Sequence, residues 1–368
     1  MPYRQLDRSK LKFKPLAERR NRVLIERDHV APDAEPAGLS EPAMEVVLEA
    51  AARIRTARDL GAPVVLAFGA HAIKNGLAPV ILKLMQAGWV QHLATNGAGI
   101  IHDWEFAFQG ESSEDVRSNV ATGTFGIWEE TGRHINLALL VGAYRGLGYG
   151  ESVGQFIHSE ELVIPEPGEL MEALAEAGES AEAAERAAAA ADLLSVMRRC
   201  DLAPGAHAVP HPWKKYSLQA AAAAAGVPFT GHPMFGHDII YTHPLNHGAA
   251  VGRTAERDFL AFADIISRIQ NGVYLSVGSA VMSPMIFEKS FSMAQNLALQ
   301  KGVRINDHAL FVVDLAQNDW DWSHGEPPAE SPAYYLRYCK TFSRMGGTMH
   351  YASADNRDFL LALLRQLS

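Results

Sequence analysis

Six short runs of β-branched and apolar residues, each closing on glycine or alanine and followed by a helical stretch or a loop, set the narrowest limit on this chain's fold. They are PVVLAFG from Pro63, VQHLATNG from Val90, VPFTG from Val227, GVYLSVG from Gly272, HALFVVDLA from His308 and TMHYASA from Thr348. Such runs, alternating with helices, predict a mainly parallel sheet covered by helices on both faces, a Rossmann-like α/β fold. The helices carry their own punctuation. EVVLEAAARIRTARDLG ends at Gly61, and PMIFEKSFSMAQNLALQKG opens with Pro284 and closes at Gly302. From Glu166 to Arg199 the chain turns alanine- and glutamate-rich, with high helix propensity and little large apolar surface, which predicts a peripheral helical insertion at about 166–200. With no internal repeat and no Pro/Ser/Gly-rich linker, the expected organisation is a basic arm and loop over 1–40 and one α/β domain over 41–368.

The 368 residues suffice for a deep cleft. No apolar stretch approaches the roughly 18 to 20 residues that span a bilayer, and the basic start MPYRQLDRSKLKFKPLAERRNRV lacks the apolar core of a secretory signal. The expectation is a soluble cytoplasmic protein whose arm packs on a neighbouring copy. Cys200 and Cys339 stand far apart without CxxC spacing, so neither a disulfide framework nor a cysteine zinc site is indicated. Forty-two acidic against 33 basic residues argue against a nucleic-acid surface and suit a cationic substrate.

In open α/β sheets ligands sit beyond the carboxyl ends of the strands. Four stretches there can carry chemistry. FGAHAIKNGL (Phe68 to Leu77) and ATNGAGIIHDWE (Ala94 to Glu105) follow the first two runs, and the small residues Gly97, Ala98 and Gly99 let backbone approach a ligand. Neither matches GxGxxG or a P-loop, and a structural glycine turn explains them equally well. GHPMFGHDIIYTHPLNHG gathers His232, His237, His243 and His247 around Asp238, a pattern for acid–base work or a metal. From Asp314 to Phe342, Trp320, Trp322, Asp319, Asp321, Glu330, Tyr335 and Tyr338 lead into Lys340. Aromatic faces beside carboxylates suit an alkylammonium ligand, and a desolvated lysine among aromatics suits imine chemistry; a pinned surface loop is the bland alternative.

Taken in order from Val64 to the C-terminus, these stretches resemble deoxyhypusine synthase. VVLAFGAHAIKNGLAPVILKLMQAGWVQHLATNGAGIIHD is similar to the family's strand, turn, helix and strand closing on a glycine turn; GVPFTGHPMFGHDIIYTH is similar to its strand leading to an active-site histidine, here His243; GVYLSVGSAVM stands at its glycine-rich strand end. Lys340 precedes the Tyr351–Ala352 pair by the family's interval between its imine-forming lysine and its last strand. The resemblance implies NAD-dependent aminobutyl transfer from spermidine or a related polyamine to an acceptor amine. Lys340 and His243 would be catalytic. Thr95, Asn96, Gly97, Ala98, Gly99, Gly278, Ser279, Ala316 and Asp355, with His71, His102, Asp103, His237 and Asp238, would hold NAD. Asp319, Asp321, Glu330 and Tyr338 would hold the polyamine, in a homo-oligomer, tetramer or dimer.

The departures open other readings. His71, Asn96, Ala98, His102 and His237 replace the family's residues, and imidazole cannot grip a ribose hydroxyl as a carboxylate does. His71, His102, Asp103, His237 and Asp238 would then form a divalent-metal site in a metal-dependent hydrolase. The remaining alternative is a non-catalytic nucleotide or polyamine binder with Lys340 as a counter-charge.

Overall fold

A computed structural model describes residues 3–368. The backbone clusters into two compact units. A sheet unit comprises Glu26–Gly99, Ala225–His232 and Asp258–Ser368; a helical unit comprises the chain up to Ile25 together with Ile100–Ala224 and Pro233–Arg257. The sequence reads as one domain because no linker marks these crossings: four of them fall inside the helices Ile25–Asp28, Gly97–Gln109, Leu218–Ala225 and Gly248–Ser267.

The sheet unit is built on six parallel strands, β1 (Val64–Phe68), β2 (His92–Asn96), β3 (Phe229–His232), β4 (Val273–Val277), β5 (Ala309–Asp314) and β6 (Thr348–Ser353). They stand in the order β6-β5-β4-β1-β2-β3, the Rossmann order, and correspond to the six predicted runs. Every residue of β1 and β4 is buried, as a sheet covered on both faces requires. On one face Val65, Ala67, Tyr274, Leu310, Val312 and Met349 pack with Phe262, Phe287, Phe291 and Phe342. Burying each Val, Leu, Met or Phe side chain among these contributes about 1.5–3 kcal/mol. On the other, helix Glu41–Asp59 touches β1, β4, β5 and β6 and packs on helix Asn356–Leu367. The first of these helices starts earlier than its apolar periodicity indicates, because Ser40 caps it by accepting from the Ala43 N–H and Pro42 fits its first turn.

The helical unit contains the helices Glu129–Arg145, Tyr149–Ser159, Pro167–Ala175 and Ala181–Cys200. The last two form the predicted insertion, interrupted where Ser180 caps the second helix. Two antiparallel pairs, Asn21–Leu24 with Glu111–Glu114 and Glu161–Ile164 with Gly205–Ala208, have no apolar alternation to announce them. The arm packs on its own chain: Leu16 and Arg19 are buried, the Leu16 N–H donates to Glu130, and the Lys14 N–H donates to the Ile127 carbonyl. Among the described residues no helix is long and apolar enough to cross a membrane.

Candidate functional site

At the carboxyl edge of the sheet the strand order reverses between β1 and β4, leaving a switch point. Backbone pairing continues past the strands there. The Gly69 N–H donates to Val277 (3.1 Å), the Gly278 N–H to Val313 (2.9 Å) and the Ala354 N–H to Asp314 (3.0 Å). A side chain on Gly69 would run into the Gly278 carbonyl, and one on Gly278, which has φ +59°, into Asn356. These glycines let neighbouring strand ends meet as bare backbone. After β2, Thr95 donates to the Phe68 carbonyl (2.9 Å) and Asn96 Oδ1 accepts from the Gly99 N–H (2.9 Å). Ser279 Oγ accepts from the Ser283 N–H, and Asp355 caps the last helix by accepting from Arg357.

Carboxylates are unevenly placed along the edge. Residues 69–75 and 95–99, which follow β1 and β2, carry His71 and Lys74 and no carboxylate. Asp314 closes β5, and the segments after β5 and β6 carry Asp319, Asp321, Glu326, Glu330 and Asp355 together with Arg337, Lys340, Arg344 and Arg357. Asp314 accepts from the Ala316 N–H (3.1 Å) and Asp321 from the Ser323 hydroxyl (2.7 Å) and N–H (2.9 Å); the Ser323 donors hold the Asp321 carboxyl below its ordinary range. Asp319 and Glu330 are exposed.

Lys340, on the short helix Arg337–Ser343, places Nζ 3.2 Å from Glu326 and 3.3 Å from the centre of the Tyr334 ring. Tyr334 first, and Glu326 after it, hold the ammonium above its ordinary range. Lys340 is therefore kept as a cation. The neighbouring Tyr338 hydroxyl meets that of Tyr351 (3.4 Å), which donates to the Ala316 carbonyl (2.6 Å), and burial raises both phenols. Glu326, Tyr334 and Asn356 were not singled out from sequence, and Tyr351 entered only as a register mark for Lys340. The Tyr334–Tyr335 pair just before Lys340 was the one signal available.

The other candidates lie in the helical unit. Asp103 is fully buried, accepting from the Ser217 hydroxyl (2.5 Å), the Leu218 and Gln219 N–H groups (2.8 and 3.2 Å) and the Gln219 amide (2.9 Å). Burial raises its carboxyl. His102 Nδ1 lies 2.7 Å from Ser112 Oγ. His243 Nδ1 accepts from the Leu245 N–H (3.2 Å), which places the proton of the neutral ring on Nε2, 3.4 Å from Glu129. Burial pulls its pKa down against the pull of Glu129. His237 is exposed, and Asp238, beside Tyr241, has its carboxyl pushed up to about 6 by burial.

The metal reading is corrected by this geometry. Among the described residues no three His, Cys, Asp or Glu side chains stand where they could hold a metal ion. Spacing along a loop gathered the histidines, but folding sends them apart in role: His232 is buried on β3, His243 is tied to a backbone amide, and His247 approaches Asp192 at 3.9 Å.

No protein-family model matches the chain, and no curated protein matches it in sequence. Solved structures that align with it include a conserved LOR/SDH protein, described as putative, from Methanococcus maripaludis S2, at 12% identity and TM-score 0.43, covering 92% of this chain and 73% of that one. Unliganded AgrE aligns at 15% identity and TM-score 0.46, over 90% of this chain and 33% of AgrE. AgrE has also been solved as a ternary complex with ornithine and NAD+, matched at 14% identity and TM-score 0.44. This chain spans about a third of AgrE's length. These neighbours are not deoxyhypusine synthases, and the family assignment read from the sequence is corrected on that ground. Its physical source is plain: a strand, a small-residue turn and a helix recur at the carboxyl end of each strand in any sheet of this order, so their succession follows the fold and not one family. Spermidine and a tetramer rested on that family and lose their support with it.

Proposed function

We propose that this chain is an enzyme that binds a nicotinamide dinucleotide at the carboxyl edge of the sheet unit and acts on a small amine. The strand order carries the reading, because a switch point between β1 and β4 is where sheets of this order take their ligands. The residues fit a dinucleotide. Gly69 and Gly278 leave bare backbone at the switch point, and Asp314 and Asp355 offer carboxylate oxygens to ribose hydroxyls. The first turn has Gly69 without the further glycines of the GxGxxG fingerprint, so the pyrophosphate is not assigned to it.

When bound, the nicotinamide supplies a hydride acceptor. The chain's share is orientation and charge. Asp319 and Asp321, on the loop between β5 and β6, favour an ammonium-bearing substrate, and Tyr351 steadies that loop through Ala316. A narrower reading, aminoalkyl transfer through an imine on Lys340, needs the neutral amine; Tyr334 and Glu326 favour the cation and would have to release it first.

The test is a fluorescence titration of the full chain with NAD+ and NADP+, followed by basic amino acids and diamines with reduced-nicotinamide absorbance as readout. Saturable dinucleotide binding and amine-dependent reduction are expected. Absence of binding by either dinucleotide would remove the reading. Borohydride trapping of a substrate adduct that Lys340→Ala abolishes would establish the imine version.

A further inference from the structure

The absence of carboxylates from residues 69–75 and 95–99 at the β1–β2 end of the edge supports an inference that deepens this reading and rests on it. In sheets of this order the residue closing β2 faces the adenosine ribose: a carboxylate there accepts from the 2′-hydroxyl and selects NAD, whereas nitrogen donors and cations accommodate a 2′-phosphate. Here β2 closes on Asn96. Its Oδ1 is engaged by the Gly99 N–H, which leaves the amide N–H2 as the group able to meet a ligand. The turn after the adjacent β1 adds the exposed His71 imidazole and the half-buried Lys74 ammonium. Asp28, whose backbone lies against Gly76, has its carboxylate gripped by Arg27 at 2.7 and 2.8 Å.

We propose that the β1–β2 end of the edge is a 2′-phosphate subsite formed by Asn96, Lys74 and His71, so that the protein selects the phosphorylated dinucleotide, NADP, over NAD. No carboxylate in residues 69–75 or 95–99 repels the added dianion, and charge-assisted bonds from nitrogen donors are the strong kind. Asp319 and Asp321 are left to the cationic end of the reaction.

Calorimetric titration of the full chain with NADP+ and NAD+ at matched ionic strength tests this without reading activity. The expected result is at least about ten-fold tighter binding of NADP+. Lys74→Gln should narrow the gap by weakening NADP+ alone. Asn96→Asp is nearly isosteric and keeps an oxygen for the Gly99 N–H, so it should fold and reverse the preference. Equal or tighter binding of NAD+ by the unaltered chain, or an Asn96→Asp variant that still prefers NADP+, would overturn the subsite while leaving the dinucleotide reading intact. Binding of neither dinucleotide would overturn both.

Discussion

Arg19 and Glu105 form an ion pair inside the helical unit, 2.6 Å apart and with side chains only 1% and 2% exposed. Glu105 also accepts from Thr131 (3.0 Å) and Ser112 (2.5 Å), and Glu114 stands 4.0 Å from the guanidinium. Burial, the largest single effect, pushes the Glu105 carboxyl up, but Arg19 together with His102 and Ser112 outweighs it and the net shift is downward. The arm is thus fastened by charge as well as by Leu16.

Removing one partner strands the other in a place where water cannot reach it. Arg19→Met should therefore destabilise by about 3–5 kcal/mol, and adding Glu105→Gln should restore much of that loss. Urea unfolding followed by tryptophan fluorescence checks both. Because the folded Glu105 pKa is depressed, its contribution is full above the unfolded value near 4.3 and is lost as pH falls through the lower folded value. If Arg19→Met unfolds at the unaltered urea midpoint, the pair is not holding the arm.

Asp103 was expected from sequence to face a cofactor, yet four donors converge on its carboxylate and it caps the helix Leu218–Ala225. Asp103→Ala leaves buried N–H groups without acceptors and should cost at least about 2 kcal/mol; Asp103→Asn, which keeps one oxygen, should cost less. Dinucleotide affinity of the folded variants should be unchanged. A variant of normal stability with weakened binding would return Asp103 to the ligand.

The six strands were legible because a sheet buried on both faces needs uninterrupted apolar runs, and Val64–Phe68 and Val273–Val277 supply them. The helical unit was not, because its small strands are only four residues long, and two of them, ESSE and GAHA, carry no large apolar residue. The site was half legible. Gly69, Asn96, Gly278 and Asp355 stand at the strand ends where the pattern places them. Asn356 and Glu326 matter through contacts that sequence distance hides: Asn356 lies against Gly278, and Glu326 joins Lys340 to Arg344. The histidine cluster misled because closeness along a chain is not closeness in space.

His92 on β2 and His232 on β3 share the Thr230 hydroxyl, at 3.0 and 2.9 Å. Burial drives both rings down to about 3. Both are neutral in the fold while the unfolded chain protonates them below about 6.5, so stability is full above that value and falls as pH drops toward 3. Within the window each histidine contributes about 1.4 kcal/mol per pH unit. His232→Gln should flatten the acid limb of a stability-against-pH curve, measured by urea midpoints between pH 6 and 4. An unchanged slope would mean that His232 does not resist protonation.

Lys340 offers the last measurement, on a single side chain. Its ammonium lies against the face of the Tyr334 ring and beside Glu326, and both neighbours raise its pKa. Glu326→Gln and Tyr334→Leu should each lower that pKa, and the double variant should lower it further. The readout is the pH dependence of competitive reductive methylation at Lys340 against exposed lysines such as Lys12. Unaltered protein should label Lys340 more slowly than Lys12 below pH 9, and the variants should close the gap. If Lys340 already labels faster, its amine is substantially neutral, the cation reading fails, and the imine chemistry described for this lysine regains its nucleophile.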